Sequence, residues 1–218
     1  MRIVAGQLRR RKLLVNPGAT TRPITDRAKV MLFDYIRDFM PGQRVLDVFS
    51  GTGSLGFEAL SRGAKSVVFC EQDHRAHKLL TQNVEHLGVA DRVLCWRTDC
   101  LRCSFKAQGQ EAWYPYGVIF FDPPYEMIKG LKVGSPLFRS LQRLTRNEVS
   151  IDNTLLVLRT PAESQFHLPD AWMTERVVSL GGMDMHLLRK QRVTDEGPLD
   201  AEVEELSGEL PPSAEVVR

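Results

Sequence analysis

The feature that most constrains the fold is a rhythm of apolar strands and helices. Four short stretches, Arg44–Phe49, Ser66–Glu71, Arg92–Thr98 and Gly117–Asp122, read as nearly unbroken apolar runs, and the first three are separated by helical patterns. A strand with apolar residues on both faces must be covered on both faces, the condition of a parallel sheet layered between helices. Helices are expected at Ser54–Arg62, closed by Gly63, at Arg75–Leu87, stopped by Gly88, and near Pro136–Arg146. A fifth strand is expected at Thr154–Thr160. Two more runs, Thr174–Leu180 and Asp184–Arg189, flank Gly181-Gly182. So short a link cannot make a parallel crossover, so this last pair is antiparallel.

Ahead of this pattern, residues 2–8 and 12–15 are β-prone and separated by Arg9-Arg10-Arg11-Lys12, which predicts a hairpin arm with a basic tip. Thr25 reads as a helix N-cap, with Asp26 in the first turn and apolar Val30, Phe33, Tyr35 and Ile36 on a helix ending before Pro41-Gly42. Three segments follow: an arm over 1–24, one α/β domain over 25–191, and a tail over 192–218. A chain of 218 residues suits one such domain rather than two.

Charge is segregated along the chain. Residues 195–218 hold eight carboxylates against Arg218 alone, a net of −7. The whole chain is +2, so residues 1–194 carry +9. A basic body suits a polyanionic partner, and the proline- and acid-rich tail is expected to be disordered. Nothing approaches the ~20 apolar residues of a membrane span, and the start carries no apolar signal core. We therefore expect a cytoplasmic protein with no membrane partner, and a monomer. Cys100-x-x-Cys103 has no second pair to complete a zinc site, and the four cysteines are expected to be reduced. His74 and His77 lie three apart on a helix with no third ligand, a surface pattern rather than a metal site. Trp113, Tyr114 and Tyr116 precede the fourth strand and are expected to pack in or around the core.

The chemistry begins where the first strand ends. Gly51, Gly53 and Gly56 in Val45–Gly56 match a dinucleotide fingerprint, in which glycines permit a tight turn and a close approach to a ligand. Asp47 argues for a different ligand. A carboxylate four residues before the first glycine would repel the pyrophosphate of NAD but attract the ammonium of an aminoacyl group, as in S-adenosylmethionine. Glu71 ends the second strand, where an acid can accept both ribose hydroxyls. Asp99 follows the third strand, within reach of an adenine amino group. Ligands of open α/β sheets bind at this edge.

Asp122-Pro123-Pro124-Tyr125 follows the fourth strand directly. Consecutive prolines fix φ and remove two donors, so the turn is rigid and the Pro123 carbonyl can serve as an acceptor. An exocyclic amino nitrogen is a poor nucleophile because its lone pair is delocalised into the base. One carboxylate and one carbonyl accepting its two hydrogens would aim the lone pair at a sulfonium methyl and stabilise the cation that develops. Displacement at a sulfonium needs no metal, and none is expected. Tyr125 offers a face for the target base, worth ~1–3 kcal/mol of stacking. To reach it, a base must be unpaired or flipped out.

Arg2–Gly6, Thr21–Arg27 with Leu32-Phe33, Val45–Gly56 continuing through Glu58–Ala64, and Asp122–Tyr125 together resemble the bacterial 16S rRNA guanine-N2 methyltransferases of the RsmD type. The likeness runs from residue 1 to about 190. It implies a Rossmann-like class I methyltransferase with a seven-stranded sheet, S-adenosylmethionine as donor, and guanine N2 in 16S rRNA, within an assembling small subunit, as acceptor. Carried over by position, Asp47, Ser50, Gly51 and Gly53 hold the methionine and ribose portion, Glu71 the ribose and Asp99 the adenine. Asp122, Pro123 and Tyr125 take the guanine. Arg9, Arg10, Arg11, Lys12 and Arg22 approach RNA, the first four as phosphate contacts that position rather than specify. Two positions depart from the family pattern: Arg9-Arg10 stands where the arm usually has a glycine, and Val30 where the helix usually has a glutamate. The residues alone leave open adenine N6 or cytosine N4 as target, or a non-catalytic RNA-binding assembly factor.

Overall fold

The computed structural model describes residues 1–15 and 24–191. Arg22 and the acidic segment 192–218 lie outside the described residues. Seven strands form one sheet: β1 Arg44–Val48, β2 Ser66–Glu71, β3 Val93–Arg97, β4 Tyr116–Phe121, β5 Ser150–Pro161, β6 Trp172–Leu180 and β7 Met183–Lys190. Their order is β3-β2-β1-β4-β5-β7-β6. The first five are parallel, and β7 pairs antiparallel with both β5 and β6. Gly181 (φ +60°) and Gly182 (φ +79°) make the β6–β7 turn, a left-handed pair that only glycine adopts without cost.

Helices α1 Asp26–Tyr35, α2 Ser54–Ser61, α3 His74–Leu87, α4 Tyr125–Ile128 and α5 Pro136–Leu144 complete the layers. Local chemistry sets their ends. Thr25 accepts from the Ala28 N–H, Asp73 from Ala76 and Ser135 from Phe138, and Gly88 closes α3 at φ +68°. One apolar cluster joins α1–α3 to one sheet face; a second joins α4 and α5 to the other. Tyr116 is fully buried, with its hydroxyl donating to the Phe105 carbonyl, while Trp113 and Tyr114 are partly buried against the second cluster.

The first helix is shorter than its apolar pattern suggests. It stops at Tyr35, because Ile36 and Met40 reach the core through a tight turn in which Ile36 O accepts from Phe39 and Met40. Of the four apolar residues expected to pack, Phe33 and Ile36 do; Val30 and Tyr35 are exposed.

The basic arm is a hairpin turn with one bridge, Arg2 to Lys12, docked on the end of α2. Glu58 explains the docking. Its carboxylate is fully buried and accepts from the Val4 N–H (2.8 Å), the Ala5 N–H (3.0 Å) and Arg62 Nε (2.9 Å), with Lys29 Nζ at 3.7 Å. Ser61 completes the seat: its hydroxyl accepts from Leu8 N, and its carbonyl from Gln7 N. Buried charge is tolerable only when fully hydrogen-bonded, and Glu58 is.

Candidate active site

Strand parity brings the acids together. Side chains alternate across a sheet with period two. Val45, Phe69, Phe120 and Val157 all point into the cluster beneath α1–α3. Two residues on from each come Asp47, Glu71, Asp122 and Arg159, so all four emerge on that same face at the tips of β1, β2, β4 and β5. In register, Phe121 lies beside Leu158, which puts Asp122 next to Arg159.

Asp47 is the deepest. It is 1% exposed, and its Oδ2 accepts from the Gly56 N–H at 2.8 Å. Burial pushes its carboxyl up to about 8, and the nearby Asp122 and Glu71 carboxylates push it the same way, against the Gly56 bond. Asp47 therefore lies within electrostatic range of both Asp122 and Glu71 at the strand tips. Glu71 ties the glycine loop to α3: its Oε2 accepts from Gly51 N–H and its Oε1 from Asp73 N–H, each at 2.7 Å.

The glycines have separate reasons. Gly51 (φ +55°) and Gly53 (φ +89°) turn the chain through left-handed conformations, while a Cβ on Gly56 would lie 2.2 Å from the Phe69 ring. Space is open where a Cβ on Gly51 would stand, the close approach a ligand backbone needs. Phe49 enters the loop at φ +60°, a strained conformation that no sequence signal announced. Ser50 turns its hydroxyl toward the Cys70 carbonyl, at 3.4 Å. Asn83, absent from the sequence reading, is fully buried: its amide donates to the carbonyls of Thr52 and Leu14 and accepts from Leu14 N–H. It joins the glycine loop to the arm.

Asp122 departs from its sequence picture. Its Oδ1 accepts from Arg159 Nε at 2.7 Å. The same guanidinium lies 5.7 Å from the centroid of Tyr125, where the proline turn passes into the first residue of α4. Burial raises the Asp122 carboxyl, and Arg159 opposes that rise. Pro123 is buried behind the acid. Arg159, 7% exposed, is the residue the sequence reading missed. An arginine at the tip of an apolar strand was the available signal.

The other predicted residues lie apart. Asp99 is more open, accepts from Leu101 N–H at 2.9 Å and faces Arg102 at 3.7 Å. Its successor Cys100 contacts the Cys70 carbonyl beside Glu71. Arg9, Arg10, Arg11 and Lys12 are all exposed, and Arg11 also donates to the His86 carbonyl in the last turn of α3. That end of α3 leads back to the start of β3, away from the strand tips. His74 is exposed, and His77 turns a buried Nε2 inward with no hydrogen bond.

The model of the family described as Conserved hypothetical protein 95 matches residues 1–188. The chain belongs to that family. The family chain is 30% identical to Ribosomal RNA small subunit methyltransferase D of Escherichia coli K12 over 193 residues, 88% of this chain and 90% of that one. Its counterpart in Haemophilus influenzae is 31% identical over 79% of this chain and 84% of its own. Among solved structures, yhhF from Escherichia coli superposes with a TM-score of 0.70 at 29% identity, over 88% of this chain and 98% of that one. An RNA methyltransferase from Salinibacter ruber in complex with S-adenosyl-L-homocysteine superposes at 0.58 over 81% and 98%; at 17% identity it speaks for the fold alone. That fold, the class I methyltransferase sheet of seven strands, is the one expected.

Proposed function

We propose that the protein transfers a methyl group from S-adenosylmethionine to the exocyclic N2 of a guanine in small-subunit rRNA. The observation that carries this reading is the meeting of Asp47, Glu71 and Asp122 at the strand tips beside the Gly51–Gly53 loop. Three acids suit a cationic donor, and the open approach at Gly51 suits a ligand that lies on backbone. When bound, the donor supplies a methyl group on a positively charged sulfur. The donor's ammonium would draw the Asp47 carboxyl, held up to about 8 without a ligand, back to its charged form and pair with it. Glu71 would accept from the ribose hydroxyls with lone pairs its two backbone bonds leave over, and Asp99 would border the adenine.

Asp122 and the Pro123 carbonyl would accept the two hydrogens of the target amine, with the base stacked on Tyr125. Holding two reactants in line is worth up to ~7–11 kcal/mol. The same acceptors would stabilise the positive nitrogen that forms. A carboxylate and a carbonyl serve any exocyclic amine, so the choice of guanine N2 in 16S rRNA rests on the family resemblance. Arg9, Arg10 and Lys12, with Arg22 outside the described residues, would hold phosphates of an RNA large enough to reach past the crevice.

The test is incubation with isotopically labelled donor and small-subunit particles from cells lacking the protein, followed by nucleoside analysis. Labelled N2-methylguanosine is expected. N6-methyladenosine or N4-methylcytidine in its place overturns the choice of base, and no transfer favours a non-catalytic assembly factor. Asp122→Ala is expected to abolish transfer; full retention would remove Asp122 from the site.

A further inference from the structure

Arg159 gives Asp122 something the proline turn cannot. A carboxylate set among Phe120, Phe121 and a buried proline loses its hydration, and burial favours the neutral acid. A neutral carboxyl cannot take up the positive charge of a methylated amine. The Asp122 carboxylate in turn raises the Asp47 carboxyl on β1. The exposed pair of Glu126 on α4 and Lys129 at its C-cap is closed on itself at 3.1 Å. On β7, His186 bonds the Thr160 hydroxyl at 3.1 Å, and burial lowers its pKa toward the neutral ring. Among the described residues, Arg159 is the cation that answers Asp122, through a 2.7 Å bond to Oδ1; Oδ2 would accept a substrate hydrogen.

We propose that Arg159 is a positioning residue for methyl transfer, holding the Asp122 carboxylate fixed and charged while its guanidinium backs the Tyr125 ring. Both contacts come from one planar group, so they set the acid and the stacking face in a single relative geometry. The proposal rests on the reading that Asp122 accepts from the target amine. A guanidinium also spends part of the carboxylate's basicity, a cost that a neutral replacement would remove while losing the charge.

The experiment compares the wild type, Arg159→Gln and Arg159→Lys in the full chain. In Arg159→Gln, kcat near neutral pH is expected to fall ~10–100-fold, and the acidic limb of its pH profile to move upward by a unit or more. Donor affinity by calorimetry should stay within about threefold. Arg159→Lys should restore the limb but not the full rate, since an ammonium keeps the charge and loses the planar fork. A profile for Arg159→Gln that superposes on the wild type overturns the proposal while leaving methyl transfer intact.

Carboxyl-carbon NMR of the unliganded protein needs no turnover, so it decides even if the substrate reading fails. The Asp122 midpoint, assigned with Asp122→Asn, should rise in Arg159→Gln; an unchanged midpoint overturns the proposal. Should that variant not fold, the Arg159 Nε–H resonance of the wild type should follow the Asp122 titration and lose it in Asp122→Asn. An Nε–H that ignores that titration is equally fatal.

Discussion

A methyl group added at Gly56 would stand 2.2 Å from the Phe69 ring and 2.8 Å from Val67, both fully buried beneath α2. Helix propensity favours alanine over glycine by ~1 kcal/mol, yet the overpacking cost is ~1–3 kcal/mol. The clash should win: Gly56→Ala is expected to melt several degrees lower, and an unchanged Tm would show that Phe69 can yield. Asp47 carries a pH prediction. Its folded carboxyl lies near 8 and its unfolded one near 3.8. Between these values the folded state holds a proton that the unfolded state has released, so stability falls as pH rises from about 4 to about 8, by at most ~1.4 kcal/mol per unit from this group. Asp47→Asn, which can still accept from Gly56, should show a shallower decline in urea unfolding over that range. A slope identical to wild type would mean that Asp47 is ionised in the folded protein.

Among the elements, the arm gained most from the tertiary structure. Its basic tip was plain in Arg9–Lys12, but the sequence did not show that these residues serve different ends. Arg11 is bound to the last turn of α3, where a cation complements the helix dipole. Arg10 sits at φ +68°, the left-handed conformation that a glycine would take freely. Keeping an arginine there costs ~1–2 kcal/mol, which argues that its charge is used. Arg10→Gly is expected to raise the melting temperature by a few degrees and weaken RNA binding, with a flatter salt dependence. If affinity and salt slope were both unchanged, the tip would be solvated surface. The docking residues Glu58, Asn83 and Lys29 could not be foreseen, because their partners are backbone groups 27 to 69 positions away.

For the whole molecule, a ligand that bridges the Gly51–Gly53 loop and the Glu71 tip ties β1, β2 and α3 together. Saturating S-adenosylhomocysteine, at about a hundred times its dissociation constant, should stabilise the fold by ~2.7 kcal/mol. NAD at the same concentration should give no shift; a shift with NAD alone would return the glycine loop to a dinucleotide. Sequence alone determined the layered architecture, because unbroken apolar strands alternating with helices have few ways to bury themselves. It also determined which strand tips carry Asp47, Glu71 and Asp122, since ligand chemistry sits where strands end. Only the tertiary structure decided which side chain stands beside Asp122. That neighbour is set by the register of β4 against β5, 37 residues apart in the chain, and register is a property of two strands packed together rather than of either one read alone.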